Sequence, residues 1–268
     1  AQTHAGTYNL VDGEGWINAS DLSRIDNRIE AVQKVLNEKY NNQERISVYV
    51  KQLDTDRVAA INDEKSMYAA SVAKLGVLYY AQERLSQKKL SLSDEYQYTS
   101  AVNGFPGAYD PDGSGKISKM PDDKNYSLEN LLKAVAQNSD NVATNILGYY
   151  VTNQYDKAFQ KSVDKAAATS WNMDKKELTA RAAGTLMEAV YRQNGDIINY
   201  LSSTDYDGER ISKNIDVPVA HKIGDAYDFK HDVATVHADS PFILSIFTDK
   251  EGYDKITSIA DDVYGILK

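Results

Sequence analysis

A chain of 268 residues, 42% hydrophobic and 26% charged, has the composition of a water-soluble globular protein long enough to bury a sizeable core, as one large domain or two intimate subdomains. Its net charge of −9 argues against a nucleic-acid partner and against adhesion to an anionic membrane. It has no cysteine, which excludes disulfides and thiolate metal sites, and no stretch approaches the roughly 18 apolar residues of a membrane span.

The opening Ala1-Gln2-Thr3 lacks the pattern of a signal peptide, as expected of a segment that has been removed or trimmed. Residues 6–11 and 13–17 read as two short strands around a glycine turn. The Gly15-Trp16-Ile17 step with Asn18-Ala19-Ser20-Asp21-Leu22 resembles the closing strands of a bacterial SH3-like, GW-type wall-binding repeat. The competing reading of residues 1–22 is a plain N-terminal arm. Ile25, Ile29, Val32, Val35 and Leu36 then recur at helical spacing through Tyr40, with Ser23 as a cap. Residues 45–50 form a strand, Thr55-Asp56 a turn, and residues 58–61 the hairpin partner.

The stretch Tyr68-Ala69-Ala70-Ser71-Val72-Ala73-Lys74 opens a predicted buried helix. Positions i and i+3 share a helix face, roughly 5–6 Å apart between Cβ atoms, so Ser71 and Lys74 can meet. A serine hydroxyl needs a base to become a nucleophile. A lysine desolvated by Leu75, Val77 and Leu78 has the depressed pKa to serve. Backbone N–H groups at a helix start suit a developing oxyanion. Taken alone, the pattern fits equally a Ser-capped helix with a snorkelling lysine.

Residues 101–126 form a predicted long loop rich in Gly, Pro and Asp. Within it, Asp110, Asp112, Ser114, Gly115 and Ile117 match early positions of a calcium-binding loop. The twelfth position, which should be a bidentate Glu, is Pro121, so a glycine-rich surface turn competes with a structural calcium site. Two helices follow, one from near Ser127 to near Asn138 and one from around Asn141. Ser139-Asp140-Asn141 thus sits at an interhelical corner, pointing small polar groups into a cleft. Next, Val217-Pro218-Val219-Ala220-His221-Lys222-Ile223-Gly224 reads as a strand ending in Lys-Ile-Gly, where the glycine lets a ligand approach the backbone. Strands over 232–237 and 242–247 and a helix over 253–267 close the chain. The expected fold is α/β: one five-stranded antiparallel sheet completed from both chain ends (23–70 and 201–268), with a helical insert at about 71–200.

The three motifs, in this order and in these contexts, resemble those of the class A β-lactamases and penicillin-binding proteins: S-x-x-K at Ser71–Lys74, S-D-N at Ser139–Asn141, and K-T-G at Lys222–Gly224. The resemblance covers residues 25–268. It implies Ser71 as acylated nucleophile, Lys74 as its base, Ser139 as proton relay to the leaving nitrogen, and Asn141 as the group orienting Lys74 and a substrate amide. It implies Lys222 as the charge facing a substrate carboxylate. The implied oxyanion donors are the backbone N–H groups of Ser71 and Asp225, with Ile223 and Gly224 lining the substrate. No cofactor is implied. The implied partner is a β-lactam or a peptidoglycan-like peptide, and the expected protein is a bacterial monomer, exported or wall-associated.

Two departures bear on function. Ile223 replaces the family's hydroxyl after the third-motif lysine, removing a carboxylate anchor. The stretch Val151 to Leu178 lacks the Glu-x-x-Leu-Asn run whose glutamate activates the deacylating water in class A enzymes, and Glu177 is its only glutamate. A β-lactam acyl-enzyme is therefore expected to hydrolyse slowly, with Glu177 as the one candidate base. A peptidase or esterase on wall substrates, and an idle wall-binding module, are the alternative functions.

Overall fold

The computed structural model describes residues 26–268 and, as backbone strands alone, Gln2–Thr3 (β1), Gly6–Val11 (β2) and Gly15–Asn18 (β3). These three strands pair antiparallel in the order β1-β2-β3, with Leu10 opposite Trp16. The expected strand pair is present. The side chains that would test the SH3-like resemblance, and Ser23, lie outside the described residues.

Helix α1 (Arg28–Lys39) starts after Asn27, which makes no side-chain cap. The Asp26 carboxylate accepts the Arg28 N–H instead, at 3.0 Å. Strands β4 (Ile46–Gln52) and β5 (Val58–Ile61) form the expected hairpin. Then come β6 (Met67–Tyr68), a 3₁₀ turn (Ala70–Lys74), α2 (Leu75–Ser86), β7 (Glu95–Gln97) and β8 (Asn125–Ser127). Helices α3 (Leu128–Asn138), α4 (Asn141–Tyr150) and α5 (Lys157–Ala167) follow. The chain continues through β9 (Glu177–Leu178), α6 (Ala180–Gln193) and α7 (Asp196–Tyr200). It ends with β10 (Val219–Ala226), β11 (Phe229–Val236), β12 (Phe242–Asp249) and α8 (Tyr253–Leu267).

The main sheet is fully antiparallel in the order β10-β11-β12-β4-β5, so the chain ends do complete one five-stranded sheet. Its two faces follow the period-2 rule. Ile46, Val48 and Val50 of β4, with Phe242, Leu244 and Ile246 of β12, pack on α1 and α8. Tyr49, Ile243 and Phe247 point the other way, into a core shared with α2, α3, α4, α5 and α6. The sheet is thus sandwiched between a terminal helix pair and the helical region, and β10 is an edge strand beside that region. Among the described residues no helix is long and apolar enough to cross a membrane.

Candidate active site

Ser71 sits in the 3₁₀ turn rather than in the first turn of an α-helix. The Ala69 N–H donates to Lys176 O at 2.7 Å. Ala70 is then forced into the left-handed region at φ 49°, a conformation costing a non-glycine residue about 1–2 kcal/mol. The surroundings hold it there: Tyr109 donates its hydroxyl to Ala70 O (3.2 Å) and Trp171 donates its indole N–H to Ala73 O (3.1 Å). Val72, Ala73, Leu75, Val77 and Leu78 are completely buried. The turn is therefore a rigid, core-embedded mount for one hydroxyl at the edge of the cleft.

The second motif is built by two caps. Ser127 caps α3 by accepting the Asn130 N–H, and Asp140 caps α4 by accepting the Ala143 N–H. Between the helices, Ser139 takes a left-handed conformation and aims its hydroxyl toward β10. Asp140 is fully buried, and its second oxygen accepts the N–H groups of Lys116 (2.6 Å) and Ile117 (2.9 Å). This contact demands Gly115, at φ +124°, because a Cβ there would lie 2.3 Å from the Asp140 carboxylate.

The residues matched to a calcium loop are used differently from that expectation. The Ser114 hydroxyl donates to Ser139 O (2.8 Å) and to Asn141 Oδ1 (3.3 Å), and the Asn141 amide donates to Asp110 O (2.8 Å). Asp110 Oδ1 accepts the Asp112 N–H. Loop 110–117 is a brace behind the Ser139–Asn141 corner, its hydroxyl turned inward. Among the described residues no group of three or more His, Cys, Asp or Glu side chains could hold a metal.

Lys74 and Lys222 are both buried and converge on Ser139. Lys74 Nζ donates to Ser139 O (2.6 Å) and Asn141 Oδ1 (2.6 Å), and lies 3.4 Å from Ser139 Oγ. Lys222 Nζ donates to Ser139 Oγ (2.8 Å) and Ile223 O (3.0 Å). Lys74 does not hydrogen-bond Ser71 Oγ, contrary to the direct meeting expected from i, i+3 spacing, because the Ser139–Asn141 corner offers its ammonium better acceptors. Burial pushes Lys74 well below the ordinary lysine range, aided by the charges of Lys222, Lys176 and Lys119 and opposed by Asp140. Burial brings Lys222 down to about 7, with Asp232 opposing and Arg210 assisting. Two amines of depressed pKa sharing one hydroxyl form a proton-transfer chain.

The third motif supplies backbone. The His221 N–H donates to Leu201 O rather than to β11. Alternation along an antiparallel strand then turns the N–H groups of Ile223 and Asp225 to the same free edge. Gly224 lies against the Ser71 turn so closely that a Cβ would be 2.5 Å from Ala69 O and 3.3 Å from Val72 N. The Asp225 N–H therefore faces the cleft beside the N–H of Ser71, which, in the first turn, has no acceptor within its own helix. Ile223 contributes its carbonyl; its buried side chain shares a face with His221 and Asp225.

A sequence profile described as the β-lactamase enzyme family matches residues 27–267. The chain belongs to that family. Among solved structures it resembles PBP-A, at 14% identity and a TM-score of 0.72 over 91% of this chain and 96% of that one. It also resembles the β-lactamase of Sphaerobacter thermophilus DSM 20745 (16%, TM-score 0.69, 91% and 97%) and the extended-spectrum β-lactamase TLA-3 (16%, TM-score 0.73, 89% and 99%). At these identities the likeness is one of fold. No curated protein sequence matches.

Within this β-lactamase fold, several residues missed in the sequence complete the site. Tyr109 is a buried wall with its ring centroid 4.5 Å from the ammonium groups of both Lys74 and Lys176. Asn145, one turn beyond Asn141, clamps the Tyr109 backbone by accepting its N–H (2.7 Å) and donating to its carbonyl (2.8 Å). The i, i+4 spacing of the two asparagines was the available signal. Lys176 donates to Gly107 O and Met173 O, both at 3.0 Å. Buried Arg210 pairs with Asp225 (2.7 Å). Glu177 is exposed on β9, opposite Tyr68. The group that the 151–178 segment presents toward Tyr109 and Lys74 is the cation Lys176. Among the described residues, no carboxylate hydrogen-bonds Ser71 or Lys74.

Proposed function

We propose that the protein is a serine hydrolase of the penicillin-binding and β-lactamase type that forms a Ser71 acyl-enzyme with β-lactams or cell-wall peptide amides. The observation that carries this is Ser139 Oγ held between Lys222 and Lys74, the lysine that shares the 3₁₀ turn with Ser71. Neutral Lys74 swings from Ser139 O to take the Ser71 proton as Oγ attacks the carbonyl. The N–H groups of Ser71 and Asp225 receive the oxyanion. Ser139 passes a proton to the leaving nitrogen and regains one from the lysines. Asn141 holds Lys74 between these positions. A net-negative protein that buries Lys74, Lys222, Lys176 and Arg210 around one cleft is matched to a substrate carrying a carboxylate, and Lys222 is its counter-charge.

Deacylation is the slow step in this scheme. A water must be held against the ester with a base within about 3 Å, and the group that the 151–178 segment brings to the Tyr109 ring is the cation Lys176 rather than a carboxylate. Small peptides or esters, whose amine or alcohol departs, remain open to turnover. The SH3-like resemblance of residues 15–22 supports a bacterial, wall-associated location, with which a cysteine-free sequence is compatible. Incubation with a fluorescent penicillin and a fluorophosphonate tests the assignment. Peptide mapping should place one adduct on Ser71, and Ser71→Ala should take none. An adduct elsewhere, or on the alanine variant, defeats it.

A further inference from the structure

The protein carries a net charge of −9, yet the outer face of α5 is lined with lysines. Lys157, Lys161 and Lys165 recur every four residues, and all three are exposed. Four residues advance a helix by about 6 Å and turn it by about 40°, so the three stems form one row about 12 Å long. Helix α2 lies antiparallel beside α5. A Cβ on Gly76 would be 3.4 Å from Val163, and the Tyr80 and Phe159 rings meet edge-on at 5.4 Å. Farther along, the Phe159 N–H holds the Asp156 carboxyl below the usual carboxylate range, and Arg84 of α2 adds to the effect. The turn after α2 therefore carries exposed Lys88 and Lys89 toward the Lys157 end of the row.

None of these five ammonium groups has a hydrogen bond or ion pair among the described residues. The neighbouring carboxylates are spent. Asp156 caps α5 by accepting the Ala158 and Phe159 N–H groups, Asp164 accepts the Trp171 N–H (2.7 Å), and Glu83 accepts the Ser162 hydroxyl (2.9 Å). Lys88 and Lys89 suit the C-terminal end of α2. Lys157 and Lys161 stand in the first two turns of α5, where the helix dipole disfavours positive charge, and like charges at i, i+4 repel. The row costs the fold stability, which points to an anion outside it. Screening confines these charges to about 8 Å at physiological ionic strength, so the row governs contact and the net charge does not.

We infer that the outer face of α5, continued by Lys88 and Lys89, is a docking strip for a linear polyol-phosphate polymer of the bacterial wall. A row of cations matches a chain of phosphates better than it matches a plane. The apolar side chains of α5 larger than alanine, Phe159 and Val163, are fully buried, so the helix has nothing to insert into a membrane and no ring on which a base could stack. The choice of a wall polymer rests on the location proposed above; the binding is independent of Ser71.

A fluorescent synthetic poly(glycerol phosphate), titrated with the protein at several salt concentrations, tests the strip. Lys157→Gln/Lys161→Gln/Lys165→Gln should bind about tenfold or more weakly with Tm unchanged. Its plot of log affinity against log salt should be shallower by about 2, at roughly 0.7 per neutralised phosphate. Lys34→Gln/Lys124→Gln/Lys250→Gln, which removes three exposed lysines elsewhere, should bind as the wild type does. No binding by the wild-type protein, or equal losses in the two triple variants, overturns the strip. Tighter binding of a single-stranded oligonucleotide or of phosphatidylglycerol vesicles through the same three lysines overturns the wall polymer as its occupant. Ser71→Ala protein should bind the polymer as the wild type does, so polymer binding without any penicillin adduct upholds the strip and defeats the acyl-enzyme reading.

Discussion

Replacing Lys222 by Met should make the protein more stable while disabling it. Lys222 is 1% exposed, and burial lowers its pKa from 10.5 to about 7. At 1.36 kcal/mol per pH unit, that difference corresponds to about 5 kcal/mol of destabilisation when the group is charged. Methionine escapes this cost but forfeits the hydrogen bonds to Ser139 Oγ and Ile223 O, worth about 1–2 kcal/mol together. A net gain of about 3–4 kcal/mol at pH 6.5, or about 6–15 °C in Tm, is expected. The sign with pH follows from linkage. Between pH 7 and 10.5 the unfolded chain binds the extra proton, so the wild-type protein gains stability as pH rises, and the advantage of Lys222→Met fades. His221 runs the other way. Burial opposes its charge, but Asp232 and Asp207 outweigh burial and hold its pKa up to about 9. Its contribution, present below pH 6.5 and lost as pH rises through 9, is common to both proteins and cancels in the difference. Urea unfolding of the two proteins at pH 6.5 and pH 10 measures the gap at each end. A variant that is less stable at pH 6.5, or a gap independent of pH, would refute the reasoning. Labelling by a fluorescent penicillin should weaken in the variant through poorer capture, seen as a need for higher concentration.

Lys74→Ala should slow Ser71 labelling by about 10²–10⁴-fold, the usual worth of a positioned base; comparable rates in the two proteins would remove Lys74 from that role. Gly224→Ala should cost about 1–3 kcal/mol in denaturant unfolding and block labelling, since its Cβ meets Ala69 O beside the nucleophile; a fully active, equally stable variant would contradict the packed oxyanion edge. Calcium and a chelator should leave Tm unchanged, because the Ser114 hydroxyl is spent on Ser139 and Asn141 and the Asp110 carboxylate accepts the Asp112 N–H; a calcium-dependent rise in Tm would restore the metal loop.

The motif contexts were legible because each is set by local chemistry. Ser127 and Asp140 cap their helices, Asn138 ends one and Asn141 begins the next, and the apolar face Ile256, Ile259, Val263 fixes α8 over the residues read for it. The strands emerged from alternation, with ends displaced where pairing continues past the apolar run, as in β11, which begins at Phe229. Helix α5 escaped notice, although Phe159, Val163 and Ala167 share one face. The site's interior was not legible. The 3₁₀ turn at Ser71 depends on Ala69 bonding Lys176, more than a hundred residues away. Tyr109 and Lys176 meet Lys74 through tertiary packing alone, and nothing in the Gly208-Glu209-Arg210 sequence signals a buried guanidinium. The direction of the Lys74 side chain likewise depends on which acceptors the folded corner presents.

Mixing the protein with a penicillin or a cephalosporin, and following hydrolysis and intact mass together, tests the central claim most directly. In the proposed scheme, acylation has its base and its acid in Lys74 and Ser139. In the same scheme deacylation is slow, because among the described residues no carboxylate hydrogen-bonds Ser71 or Lys74 and the tethered amine of the opened ring hinders water. One adduct on Ser71 that outlasts the mixing by many minutes, with little hydrolysis, is the expected result. No adduct on Ser71, or rapid multiple turnover, would contradict it.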